Sequence, residues 1–167
     1  MKARDVIQSN PHYPLIFPHT RIRADSKAKD KWITTDGGSY SSVGVGGSIT
    51  GFGAKIAIID DPIKNSEEAQ SSTLRKKIAD WYSSTLHTRL EGAEPIIILM
   101  PSWHLDDLVG QVLGEYDEET NFGGQKDKWD IVRFPAIAEE DEYDPDDSTI
   151  QLRKAGEALW PEKFPIE

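Results

Sequence analysis

The chain has no cysteine. That excludes a disulfide framework, a thiolate zinc site and a thiol nucleophile, and it fits a reducing compartment. Long apolar runs are missing as well. None approaches the ~20 residues that a membrane-spanning helix needs, and the first residues lack the apolar core of a secretory signal. The expectation is a soluble protein of the cytoplasm, with no membrane partner. The signature GxxxxGK[ST] occurs nowhere in the 167 residues, so this sequence encodes no backbone cradle with its lysine for nucleotide phosphates. Positive charge is also short: 19 Lys and Arg stand against 29 Asp and Glu, a formal net charge of −10.

The imbalance is local. Residues 1–115 carry 13 basic and 14 acidic side chains, whereas residues 116–167 carry 6 and 15. The run Glu139-Glu-Asp-Glu-Tyr-Asp-Pro-Asp-Asp147 has the composition of a solvated, mobile linker. Its acids are not spaced as a calcium loop, and they repel phosphates where they stand. At this length the chain is one domain in size.

What is present centres on Lys55-Ile-Ala-Ile-Ile-Asp60-Asp61-Pro62. An apolar run entered from glycines and left through proline predicts a parallel strand buried on both faces. Acids at the C-terminal tip of such a strand stand where open α/β sheets bind ligands. Magnesium takes oxygen ligands and commonly keeps one or two carboxylates together with waters and phosphates. Asp60 is the candidate metal ligand and Asp61 the candidate catalytic carboxylate that polarises an attacking water. Taken alone, the pair is equally compatible with a strand end capped by solvated acids.

Around this stretch, Pro11, Pro14 and Pro18 interrupt a short amphipathic start, and Tyr13–Phe17 reads as a partly buried extended segment. Arg21, Arg23, Lys27, Lys29 and Lys31 form a basic patch ending at Trp32, either a nucleic-acid track with a stacking ring or an ordinary solvated surface. Residues 37–53 contain seven glycines, a pattern of short strands and tight turns. Asn65 or Ser66 caps a helix that carries Leu74, Ile78, Trp81 and Thr85 at helical spacing, runs to about Leu90 and ends at Gly92. Pro95–Met100 is a second buried strand, a short helix runs to about Leu113, and Trp129–Phe134 alternates as a third strand. Strand, helix, strand, helix, strand predicts an α/β fold with a parallel sheet.

The order of short motifs is more specific than any one of them. Gly47-Ser-Ile-Thr-Gly-Phe-Gly-Ala54, Ile58-Ile-Asp-Asp-Pro62, Glu68-Ala69, Trp81-Tyr82 and Thr88-Arg-Leu90 come first. Ser102-Trp-His-Leu-Asp-Asp-Leu108, Phe134-Pro-Ala-Ile-Ala138 and Leu159-Trp-Pro-Glu-Lys-Phe164 follow. In this order they resemble the large terminase subunit of tailed bacteriophages. The resemblance implies an ATP-driven motor that moves viral DNA into the procapsid, with an ASCE-type P-loop ATPase domain joined to an RNase H-like nuclease. It also implies Mg²⁺ and ATP as cofactors, and double-stranded DNA, a portal protein and a small terminase subunit as partners. A ring-like homo-oligomer and the cytoplasm of a bacterial host are compatible with it.

By position, Asp60 resembles the Walker B magnesium acid and Asp61 the catalytic carboxylate. Ser102 and His104 resemble nucleotide-contacting residues of the motif that senses the γ-phosphate, with Asp106 and Asp107 beside them; a lone histidine there is equally compatible with orienting the loop by hydrogen bonds. Arg89 is a weaker phosphate or interface candidate, because a helix-end arginine also suits the helix dipole. Two departures stand out. Pro101-Ser102 replaces the family's usual Thr-Arg, and Phe52 stands where some relatives place arginine. Residues 1–138 are therefore expected to be part of an αβα sandwich ATPase domain lacking its Walker A strand and loop. Residues 139–167 are expected to be an acidic linker toward a nuclease domain. The chain by itself is expected to be inactive. A non-catalytic prophage remnant or interaction module is the alternative, and a metal-dependent hydrolase using Asp60, Asp61, His104, Asp106 and Asp107 is a third reading.

Overall fold

A computed structural model describes residues 3–26, 28–49, 51, 53–90, 94–114 and 128–165. It is mixed α/β and divides into two compact units, Met1–Lys126 and Asp127–Glu167. The described residues form three two-stranded sheets.

The first unit opens with helix α1 (Ala3–Ser9) and the helical turn α2 (Tyr13–Ile16). Tyr13–Ile16 is thus helical and not extended, with Tyr13 alone of the segment partly buried. Pro14 falls in the first turn, where a missing N–H costs nothing, and Leu15 and Ile16 are exposed. Strands β1 (Lys31–Ile33) and β2 (Ser39–Ser41) form an antiparallel hairpin whose turn uses Gly37 at φ +86°. The described residues among 43–53 form turns and loop without a strand of their own. Gly47 is required there, since a Cβ would lie 2.3 Å from Val43 Cγ2.

Strand β3 (Ala57–Asp60) pairs in parallel with β4 (Ile96–Leu99), with Ala57 opposite Ile96 and Asp60 opposite Leu99. Ala57 and Ile59 are buried, with Ile63, Ala69, Ile78, Ala79, Tyr82 and Leu108 completing the apolar interior. The other face is open: Ile58 is 66% exposed and Leu99 60%. Burial on both faces, which the continuous apolar run predicts, is therefore not what the described residues provide: buried Ala57 and Ile59 alternate with exposed Ile58 and Asp60.

Between the two strands the expected single helix is divided. Helix α3 (Ser66–Gln70) is capped by Asn65, whose side chain accepts the Glu68 N–H at 2.9 Å. Glu68 reaches back to accept the Lys64 N–H. Ser71 breaks the helix in extended conformation and caps α4 (Ser72–Trp81). Beyond Trp81 the coil widens into a π turn (Tyr82–Leu86) and tightens into a 3₁₀ turn (His87–Arg89). The cause is local. The Ser83 hydroxyl donates to the carbonyl of Ala79, the Ser84 hydroxyl to that of Asp80, and Thr88 bonds the carbonyls of Ser84 and Thr85. Gly92, the expected helix stop, lies outside the described residues. Helix α5 (Leu108–Val112) follows β4.

In the second unit, residues 129–134 are not a strand: Ile131, Val132 and Phe134 are exposed and no ladder partner holds them among the described residues. Strands β5 (Glu142–Tyr143) and β6 (Gln151–Arg153) pair instead. Arg153 grips Glu142 through two bonds of 2.7 and 2.6 Å and donates to the Pro135 carbonyl. Within the acidic run, Glu142 is thus paired with Arg153 across the β5–β6 ladder. Among the described residues no helix is long and apolar enough to cross a membrane.

Candidate functional site

The site is built at the C-terminal end of the parallel pair. Asp60 ends β3, and Asp61 leaves it with φ +47°, the left-handed conformation that aspartate tolerates better than most residues. The Asp61 N–H still donates to the Leu99 carbonyl at 2.9 Å, so the turn is fixed to the neighbouring strand. Both residues are exposed, and neither carboxylate accepts a hydrogen bond from a described residue.

The 101–107 loop leaves β4 from the same end. Its organiser is Asp107, 1% exposed. Oδ1 caps α5 by accepting the Gly110 N–H at 3.1 Å, while Oδ2 accepts the N–H groups of Trp103 and His104 at 3.1 and 3.3 Å. Gly110 has to be glycine, because a Cβ would stand 1.8 Å from the Leu105 carbonyl oxygen. Three backbone donors on one buried carboxylate thus shape the loop. Asp106 lies across from α4, with Arg75 Nε donating to its Oδ2 at 3.1 Å. The Asp106 N–H donates to His104 Nδ1 at 2.9 Å. Ser102 is exposed, and its hydroxyl meets no described residue.

The five residues of the metal-hydrolase reading do not converge. Among the described residues, no group of three or more His, Asp or Glu is arranged to hold a metal ion, and Asp106 and Asp107 are engaged in holding the loop. The Arg89 guanidinium is partly buried and its Nε finds no partner among the described residues; its carbonyl accepts the Ala54 N–H at 2.9 Å. Trp32 is not free to stack on a base, since it is 6% exposed and lies against Tyr40 with ring centroids 4.8 Å apart. Arg23 in the basic patch is paired with Asp25 at 2.6 Å, and Lys27 lies outside the described residues. Sequence reasoning missed Arg75. It sits in the run Arg75-Lys76-Lys77, which has the look of a solvated helix face, yet its side chain is 10% exposed.

Residues 14–162 match the family described as terminase large subunit, T4likevirus-type, N-terminal. The chain belongs to that family. The match covers most of the sequence, and it gives this terminase chain a role in phage DNA packaging, with DNA and phage proteins as partners. No curated protein and no solved structure matches it.

Proposed function

We propose that this terminase chain supplies the magnesium and water-activating half of a packaging ATPase site. The supporting observation is the pair of unengaged carboxylates, Asp60 and Asp61, at the tip of β3, where the 101–107 loop also departs. Hard oxygen donors with no partner among the described residues suit Mg²⁺, which would complete its shell with waters and phosphate oxygens. In this reading Asp60 holds the ion and Asp61 orients and polarises the attacking water. Ser102 and His104 face the terminal phosphate. The β3–β4 pair is then part of a larger αβα sandwich of the ASCE type, whose phosphate loop this sequence does not encode. Translocation of double-stranded DNA, docking on a portal, contact with a small subunit and a ring of copies belong to the same proposal.

Manganese-loaded ATP, a paramagnetic stand-in for the magnesium complex, tests it in the terminase large subunit. Resonances of Asp60, Asp61 and His104 are expected to broaden before those of Ala57 and Ile96 at the other end of the β3–β4 pair. Broadening confined to other residues would refute the assignment. Asp60→Asn is expected to weaken metal–nucleotide binding about tenfold or more, with Asp61→Asn leaving it nearly unchanged. Equal loss of binding in both would argue against separate roles.

A further inference from the structure

We propose that Arg75 is a positioning residue that presets His104 as a hydrogen-bond donor for a phosphate oxygen, an inference that rests on the nucleotide-site reading above. The His104 Nδ1 accepts the Asp106 N–H at 2.9 Å, so Nδ1 carries no proton and the ring N–H is at Nε2. Nε2 bonds to no described residue. It is a donor with a fixed ring behind it and no acceptor among the described residues.

What aims the Asp106 N–H back at the ring is the grip on its side chain. Arg75 Nε donates to Asp106 Oδ2 at 3.1 Å, and Arg75 Nη1 donates to the Ala69 carbonyl at 2.6 Å. The guanidinium thus spans the end of α3 and the loop after β4, with its side chain 10% exposed and that of Asp106 28%. Helices α3 and α4 are the next elements after Asp60 and Asp61, beyond residues 62–65, so Arg75 ties the His104 loop to the stretch of chain that follows the acids. Asp107 holds that loop independently, through backbone N–H groups. The two anchors are separable. A lysine at position 75 keeps the charge but loses the planar fork that serves two acceptors at once.

Amide hydrogen exchange in the full chain separates positioning from general support. In Arg75→Gln the Asp106 amide is expected to exchange about tenfold faster or more, while the Gly110 amide, held by Asp107, changes less than about twofold. Asp106→Ala keeps the backbone donor but removes the grip, and it is expected to show the same pattern. Equal acceleration at both amides, or no change at Asp106, would overturn the proposal. In the terminase large subunit Arg75→Gln is expected to raise KM for ATP about tenfold with a smaller change in kcat, and Arg75→Lys to fall between it and wild type. An unchanged KM beside a turnover that Asp61→Asn abolishes would overturn the Arg75 role alone. A turnover indifferent to Asp61→Asn would instead overturn the site reading, and with it the phosphate as the recipient of the His104 donor, whatever the exchange rates show.

Discussion

The N–H of Asp61 donates to the carbonyl of Leu99 at 2.9 Å, one residue past the last pair of the β3–β4 ladder. This bond holds an acid at φ +47° at the open end of the parallel pair. Asn and Gly accept that conformation, whereas a β-branched side chain does not. Asp61→Asn is therefore expected to leave stability within about 0.5 kcal/mol of wild type. Asp61→Val is expected to cost about 1–3 kcal/mol. Chemical denaturation of the two variants checks this, and equal stability would argue against the strained turn.

Gly110 is enclosed more tightly. Its missing Cβ would overlap the Leu105 carbonyl oxygen, so Gly110→Ala must push the loop away from α5. A loss of about 1–3 kcal/mol or more is expected. Gly44, with no atom within 4 Å of its Cβ position, is the control, and Gly44→Ala is expected to stay within about 0.5 kcal/mol. Thermal unfolding of both reads the difference.

Asp107 satisfies three backbone donors from full burial. Removing it leaves the α5 cap and the loop N–H groups unpaired. Asp107→Ala is expected to cost about 2–4 kcal/mol. The acid is thus a loop-former and not a ligand; an unaltered denaturation midpoint would contradict this.

Charge at the surface makes a smaller, pH-dependent contribution. The Arg23 guanidinium, bonded to Asp25, holds that carboxyl below its ordinary value. The Thr149 hydroxyl does the same for Asp147 at 2.7 Å. A carboxyl lowered in the folded state stabilises fully above its unfolded value, and the benefit fades as pH falls through the folded one. The window lies below about pH 4. Arg23→Ala and Thr149→Ala are expected to raise the midpoints of Asp25 and Asp147 in an NMR titration. Unmoved midpoints would show that these bonds do not persist in solution.

The features legible in the sequence are those with local causes. The apolar runs around Ile58 and Ile97 announce two strands, Asn65 announces a helix start, and the ordered motifs announce the terminase family. Non-local causes stayed hidden. Alternation over 129–134 looks like a strand, but no partner strand holds it among the described residues. The division of the helix at Ser71 and its widening after Trp81 depend on hydroxyls that serve as well in caps as in helices. Arg75 resembled its neighbours Lys76 and Lys77, and the burial given by Asp106, 31 positions away, sets it apart. The left-handed turn at Asp61 likewise comes from its bond to Leu99 in another strand.

The most direct test is ATP turnover by the terminase large subunit carrying this segment, compared with its Asp61→Asn variant in the presence of magnesium and DNA. Turnover is expected to fall by about a hundredfold or more while nucleotide binding persists. Turnover within about twofold of wild type would place the water-activating carboxylate elsewhere and contradict the assignment of the β3 tip as the catalytic site.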